Sequence, residues 1–255
     1  MKGQNHVIEE SAPSGYVAVI PAAGAGTRLP DRELSKELMP YGRPGTGREP
    51  VISHLLRCLG QAEIDDMIIV LRDDKTDIAD YLASPKWGGS NFSITMTPGT
   101  SGVPETVALG VRDAGARNVA FGFPDILFEP RDAFVELMYQ LDNSEADVVL
   151  GLFPTDTPEK MDMVATDKRG RVTGIQIKPD STTLELTWIL ATWTPRFSAF
   201  LTDNNDGSHL GHAFQLAMAE GLIIHSVAFG SGRSLDIGTP DDLARAREWE
   251  SSNHG

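Results

Sequence analysis

The chain predicts an α/β protein with a mixed, mostly parallel sheet flanked by helices. Two observations carry that expectation. Short β-like apolar runs alternate with segments of helical spacing, which favours parallel strands joined by right-handed crossovers with helices on both faces. The first apolar run, Val17–Ile20, opens straight into a small-residue loop. In sheets of this kind, ligands bind outside the carboxyl ends of the strands.

The elements follow in order. Residues 17–22, VAVIPA, read as the first strand, and PVISHLLRCLGQA places Val51, Leu55, Leu56 and Leu59 at helical spacing. DMIIVLR at 66–72 predicts the second strand and KTDIADYLA the next helix. NFSITMTP at 91–98 and NVAFGFPD at 118–125 are the third and fourth strands, separated by a helix in ETVALGVRDAG that ends at Gly115. PRDAFVELMYQLDN is an amphipathic helix, and ADVVLGLFP is a fifth strand. Beyond it DMVATD, GRVTGIQIKP and LTWILATWTP predict strands joined by tight turns, one of them Lys168-Arg169-Gly170. A helix around 209–220 precedes IIHSVAFGSG, and DDLARAREWES closes the pattern as a charged helix. No repeat or long linker interrupts this order. Residues 1–15 read as a polar lead-in and 16–255 as a single domain.

With 255 residues, 40% of them hydrophobic, the chain can bury a substantial core. Its 36 acidic against 22 basic residues leave a net charge of −14, which argues against a nucleic-acid partner. Small anionic ligands are not excluded, because the local field and any bound cation decide there. No apolar stretch approaches a signal peptide or membrane span, so no membrane partner is expected and the expected location is cytoplasmic. The single Cys58 lies in the apolar pattern VISHLLRCL and reads as a core-facing thiol.

The loop after the first strand runs Ala22-Ala23-Gly24-Ala25-Gly26-Thr27, with Arg28 next and Lys36 ahead of Pro40. Its glycines let backbone N–H groups approach an anion without a Cβ in the way. Arg28 and Lys36 add positive charge, within a stretch that also holds Arg32, Arg43 and Arg48. The combination suits a polyphosphate. No Gly-Lys-Ser/Thr closes the segment, so it is not a P-loop. The dinucleotide form also fits poorly, because its third glycine falls on Leu29 and Pro30 follows instead of a helix.

GAGAGTRLP followed by SKELMP resembles the N-terminal motif of the sugar-phosphate nucleotidyltransferases (nucleotide-sugar pyrophosphorylases), G-x-G-T-R-L-x-P…K-x-L-x-P. The resemblance implies a Rossmann-like fold of the nucleotide-diphospho-sugar transferase type. It implies that Ala23, Gly24, Gly26 and Thr27 wrap an NTP, and that Arg28 and Lys36 are catalytic cations on its phosphates.

Three further segments extend it. LDIGTPDDLARA resembles the family's C-terminal L-D-x-G-T-P motif, which makes Asp236 a metal ligand. PDILF resembles the segment carrying the second metal ligand, here Asp125 at the end of the fourth strand, with Pro124 and Ile126 in place of the family's Gly and Asn. Taken without the resemblance, each acid is equally well explained as a turn or cap residue. Two carboxylates with phosphate oxygens and waters are a set that suits Mg²⁺. His209 and His212 in SHLGH lack a third ligand and read as solvent-facing or helix-surface residues. GRVTGIQIKP resembles the strand whose Lys holds the acceptor phosphate, here Lys178. The family's sugar-binding Glu is replaced by Ile177, which cannot accept a hydroxyl hydrogen bond, so the acceptor is held differently or is not a sugar. TPGTSGVPETVALG resembles the base-reading segment, with Gly102 presenting a backbone amide, while the base itself stays open.

The resemblance, spanning most of residues 17–247, implies a Mg²⁺-dependent nucleotidyltransferase. It would move NMP from an NTP to a phosphorylated acceptor, in first place a sugar 1-phosphate, giving a nucleotide-sugar and pyrophosphate. A cytidylyltransferase for a small phospho-alcohol stays open on the strength of Ile177. A non-catalytic nucleotide or sugar-nucleotide sensor stays open on Pro124 and Ile177. Relatives in the family often form homo-oligomers, but no feature of this chain specifies an interface.

Overall fold

The computed structural model describes residues 15–26, 34–42, 48–207 and 209–249. At its centre β1 (Tyr16–Ala22) buries both faces. Tyr16, Ala18, Ile20 and Ala22 enter one apolar cluster, and Val17 and Val19 enter another. Apolar residues on both sides of a period of two are what a strand covered by helices on each face requires.

After a 3₁₀ turn at Lys36–Leu38, the short strands β2 (Pro40–Tyr41) and β3 (Glu49–Pro50) pair antiparallel. Then α1 (Ile52–Gln61) leads to β4 (Asp66–Arg72), α2 (Thr76–Leu82) to β5 (Asn91–Thr97), and α3 (Val103–Ala114) to β6 (Asn118–Gly122). β6, β1, β4 and β5 lie side by side and parallel. The chain thus steps outward from β1 to β4 and β5, then returns to lay β6 on the other flank of β1. A reversal of this kind opens a crevice at the carboxyl ends of the strands. Gly110 lets α3 lie close on the sheet, since a Cβ there would fall 2.7 Å from Val19 Cγ1.

β7 (Ile126–Glu129), α4 (Ala133–Asp142) and β8 (Val148–Pro154) follow. Next come β9 (Asp162–Thr166), β10 (Val172–Ile177), β11 (Leu186–Trp193), α5 (Pro195–Asp203) and α6 (Leu210–Ala219). β12 (Ile224–Ala228), β13 (Arg233–Asp236) and α7 (Pro240–Arg247) complete the described elements. β11 runs antiparallel between β6 and β8, and β12 joins β8 in parallel. Leu190 of β11 faces Gly122, the last residue of β6, while Thr187 pairs with Met163 of β9. The β9–β10 hairpin is therefore held at the carboxyl end of β6. Within the nine-stranded sheet only β10 and β11 run against the other strands, so it is mixed and mostly parallel, as the sequence predicts. α1 and α4 cover one face, and α3, α5 and α6 the other. No helix among the described residues is long and apolar enough to cross a membrane.

Three details differ from the sequence reading. The fourth strand stops at Gly122, short of Asp125, because Pro124 has no N–H for the ladder and the next residues leave to pair with β13. The pattern does not predict α5, whose Thr194–Pro195 start is a common N-cap and first-turn pair hidden behind a β-rich run. β2, β3 and β13 are too short to show a period.

Candidate active site

A cavity of about 470 Å³ opens at the carboxyl ends of β1, β4, β5 and β6. It brings together Ala23, Gly24, Lys36 and Gly102 with Asp125, Lys178 and Asp236. Gly26 follows on the same loop with φ 61°, a left-handed backbone that favours glycine. Thr27 and Arg28 lie outside the described residues.

The loop leaves β1 at Ala22, whose carbonyl accepts a hydrogen bond from Lys75 Nζ at 2.7 Å. The same ammonium donates to Glu37 Oε1 at 2.7 Å, and the two side chains are only 4% and 1% exposed. Burial lowers the Lys75 pKa against the pull of Glu37. Next to them, Ser35 donates through its N–H and Oγ to the Asp77 carboxylate at 2.6 and 2.8 Å. Lys36 thus projects from a turn pinned on both sides. Sequence reasoning missed these supports, because Lys75 sits in the charged run RDDKTD, which looks like any solvated loop.

The segment before α3 is braced from within. Gly99 N–H donates to Thr97 Oγ1 at 3.3 Å, and Ser101 donates through N–H and Oγ to Glu105 Oε2 at 2.6 and 2.8 Å. Gly102 caps α3, and its carbonyl accepts from Thr106 Oγ1 at 3.0 Å.

A two-stranded ribbon joins the carboxylates. β7 pairs antiparallel with β13, placing Asp236 opposite Ile126, and Ile237 N–H donates to the Asp125 carbonyl at 3.0 Å. Leu235 and Ile237 sink into a cluster with Leu127, Leu243 and Trp249, and strand alternation turns Asp236 the other way, to the cavity. Just beyond, Asp242 N–H donates to Thr239 Oγ1 while Thr239 N–H donates to Asp242 Oδ2, a capping box with Pro240 in the first turn. LDIGTPDDL is therefore a strand, a turn and a locked helix start. On the other side of the ribbon, buried His54 Nε2 accepts the Phe128 N–H at 3.2 Å. Burial, and then the Arg131 charge, push the His54 pKa down to about 3, so the ring is neutral.

Lys36 forms an ion pair with Asp125 Oδ2. Burial alone would lower the Lys36 pKa, but Asp125, Glu37 and Asp236 outweigh it and raise it. Residues that the sequence assigns to different partners, phosphate and metal, are thus joined here. Asp125 and Asp236 offer hard oxygen donors on one wall. No group of three His, Cys, Asp or Glu able to hold an ion occurs among the described residues. Two carboxylates fit a cation that keeps waters and takes phosphate oxygens, as Mg²⁺ does, and do not fit a zinc site.

Across the cavity Lys178 leaves β10 with φ 41°, a left-handed conformation that costs a residue with a Cβ about 1–3 kcal/mol. Its N–H donates to the Met161 carbonyl at 3.1 Å. Lys160, Asp162, Trp188 and His209 stand on the same side, and the first three are marked by no sequence motif. His209 corrects the sequence reading: it heads α6 and lines the cavity, whereas His212 is exposed on the helix as expected. Burial first, then the charge of Lys178, lowers the His209 pKa. The Asp162 carboxyl is raised by burial, against the opposing pull of His209 and Lys178.

The mixed, mostly parallel sheet with helices on both faces has the fold of the nucleotide-diphospho-sugar transferases. A Bacillus anthracis protein assigned as a glucose-1-phosphate thymidylyltransferase, solved with sucrose, superposes with a TM-score of 0.79 at 20% identity, over 93% of this chain and 98% of its own. UDP-glucose pyrophosphorylase from Acinetobacter baumanii does so at 0.76 and 17%, over 91% of each chain. The inositol-1-phosphate CTP transferase of T. maritima does so at 0.73 and 16%, over 91% and 92%. At these identities the likeness shows the fold. The chain matches none of the curated protein sequences compared with it. Residues 17–252 match the Nucleotidyl transferase family, and the chain belongs to it.

Proposed function

We propose that this nucleotidyltransferase moves NMP from an NTP to a sugar 1-phosphate, releasing pyrophosphate, with Mg²⁺ as its cation. The observation that carries the reading is a single crevice with two unlike flanks. The glycine loop and Gly102 lie toward β5, Lys178 lies toward β10, and Lys36, Asp125 and Asp236 stand where β1 and β6 end.

In this reading an acceptor phosphate oxygen attacks the α-phosphorus, and the bond from that phosphorus to the pyrophosphate oxygen breaks. A phosphate dianion is already a competent nucleophile near neutral pH, so no protein base is needed. The protein positions and neutralises. Backbone amides of the Ala23–Gly26 loop and Gly102 hold the nucleotide, and Lys178 docks the acceptor phosphate. Lys36, together with Arg28, which follows the loop in the sequence, meets the charge gathering on the departing pyrophosphate, for which Lys36 exchanges Asp125 for a phosphate oxygen. Asp125 and Asp236 would hold Mg²⁺, which when bound neutralises charge at the reacting phosphates.

The sugar-nucleotide enzymes among the similar folds support a sugar acceptor. Ile177, together with the inositol-1-phosphate CTP transferase, supports a second reading, a cytidylyltransferase for a phosphorylated alcohol. The test is pyrophosphate release with Mg²⁺ and ATP, CTP, GTP, UTP or dTTP, each against glucose 1-phosphate, inositol 1-phosphate and ethanolamine phosphate. Turnover with glucose 1-phosphate is expected. Turnover confined to CTP with another acceptor moves the assignment to the second reading, and NTP binding without turnover of any pair overturns both.

A further inference from the structure

We propose that the outer edge of β5 docks a second copy of this chain, which adds its own β5 antiparallel across a two-fold axis through Ile94. The inference stands on the sheet and does not depend on the nucleotidyl-transfer reading.

Among the described strands β5 ends the sheet, with β4 on one side only. The Asn91 N–H donates to the Asp65 carbonyl at 2.7 Å, and the Thr97 carbonyl accepts from the Asp73 N–H at 2.9 Å. Both bonds run toward the β4 side. Main-chain groups alternate in direction along a strand, so those of Phe92, Ile94 and Met96 point to the open side. Native edges of this kind are blunted by Lys, Pro or a bulge. β5 has no Lys or Pro, and its register with β4 is unbroken from Asn91 to Thr97. Ile94 and Met96 are 39% and 46% exposed on the face where Phe92 packs edge-on against Trp87.

A second copy is the occupant that this edge fits. An isologous contact needs a surface complementary to itself. Asn-Phe-Ser-Ile-Thr-Met-Thr is a palindrome in residue class about Ile94. Antiparallel pairing about that centre sets Ile94 on its own copy, Phe92 on Met96, Ser93 on Thr95 and Asn91 on Thr97. The outward main-chain groups then meet as three hydrogen-bonded pairs, about six bonds in all. On one face a thioether meets an aromatic ring at each end of an Ile–Ile contact, and on the other hydroxyls meet hydroxyls. No residue of Asn91–Thr97 is ionisable, so the net charge of −14 sets no like charges opposite one another along the strand pair. A seven-residue strand pair is about 23 Å long, small beside a standard interface, so the dimer is an equilibrium species that grows with concentration. Its cavities open on opposite edges of one continuous sheet, because the paired strands run in opposite directions. The sequence alone does not mark this surface, since only the sheet order shows which strand lies at the edge.

The test joins light scattering with residue-resolved amide exchange over about 5 to 500 µM protein. The mass should rise from 27.6 kDa toward twice that value. Over the same range, exchange at Phe92, Ile94 and Met96 should slow about 10-fold or more, while Ser93 and Thr95, already bonded to β4, should not change. Ile94→Lys sets two ammonium groups on the axis and should leave a monomer at every concentration. Ile94→Pro removes an outward N–H that the fold does not use, and should do the same. Should either fail to fold, Met96→Lys replaces it. Leu216→Lys, which charges an exposed apolar residue on α6, should dimerise like the wild type. A wild type that stays monomeric throughout overturns the inference. So does a dimer that survives Ile94→Lys or Met96→Lys, which places the contact elsewhere. Slow exchange at Phe92, Ile94 and Met96 that is independent of concentration also overturns it, by showing that the chain covers its own edge.

Discussion

On the β1–β5 side of the cavity the protein satisfies its own polar groups: Lys75 holds the Ala22 carbonyl and Glu37, Thr97 holds Gly99, and Glu105 holds Ser101. Glu37 Oε2 is the exception, buried without a partner. On the β9–β11 side the balance reverses. Asp162 Oδ1 is buried without a hydrogen-bond partner, and Lys178 is held in a left-handed turn. The contrast follows from what each flank is proposed to meet. A triphosphate presents the same oxygens in every NTP, so backbone amides and a rigid frame can be set in advance. An acceptor must be chosen from many phosphate esters, and choice comes from polar groups that only the right ligand satisfies.

The largest effect is expected where the flanks meet. Asp236→Ala should slow pyrophosphate release about 10²- to 10³-fold. Its Tm should hold, because the neighbours Leu235 and Ile237 anchor the ribbon. Full activity in this variant would remove the carboxylate pair from the reaction.

Lys75→Met probes the prebuilt flank. It leaves Glu37 buried without a counter-charge, and loss of one partner from such a pair costs about 3–5 kcal/mol, read as a lower urea midpoint. A cost below about 1 kcal/mol, the scale of an exposed pair, would show that this flank does not depend on its buried frame.

A smaller and graded effect is expected from pH. The His54 pKa is about 3 in the fold, against roughly 6.5 in an unfolded chain, so the folded state disfavours its proton. Its stabilisation is complete above pH 6.5 and is lost as the pH falls toward 3, by about 1.4 kcal/mol per unit. His54 accepts from Phe128 in β7, so its protonation removes a contact of the ribbon next to Asp125. Thermal midpoints between pH 7 and 4 should fall less steeply in His54→Gln, and an equal slope would remove His54 from the account.

The sequence was most legible where meaning is local. DMIIVLR is a strand from end to end because a buried parallel strand is a short apolar run between polar ends. LDIGTPDDL could be matched because its strand, turn and capping box all lie within a few residues. Asp125, Asp236, Lys178 and Gly102 were found in that way, and the structure gathers them around one cavity. Lys75 was not legible, because nothing in RDDKTD says that one of its charges is buried under β1. Nor was Asp162, whose place depends on register with a strand ten residues and more away. Where the chain departs from its family's pattern, as at Ile177, the motif shows what is missing but not which neighbour stands in.

Cys58 is the chain's single cysteine, buried in α1 one turn from His54, and burial pushes its thiol up to about 12. Toward alkylating reagents the native protein therefore behaves as if it had no thiol. A cysteine placed at exposed Tyr139 would react alone, giving a spectroscopic label without first removing a native residue. Left as it is, Cys58 serves as a clock: its slow modification times how often α1 lifts away from the sheet.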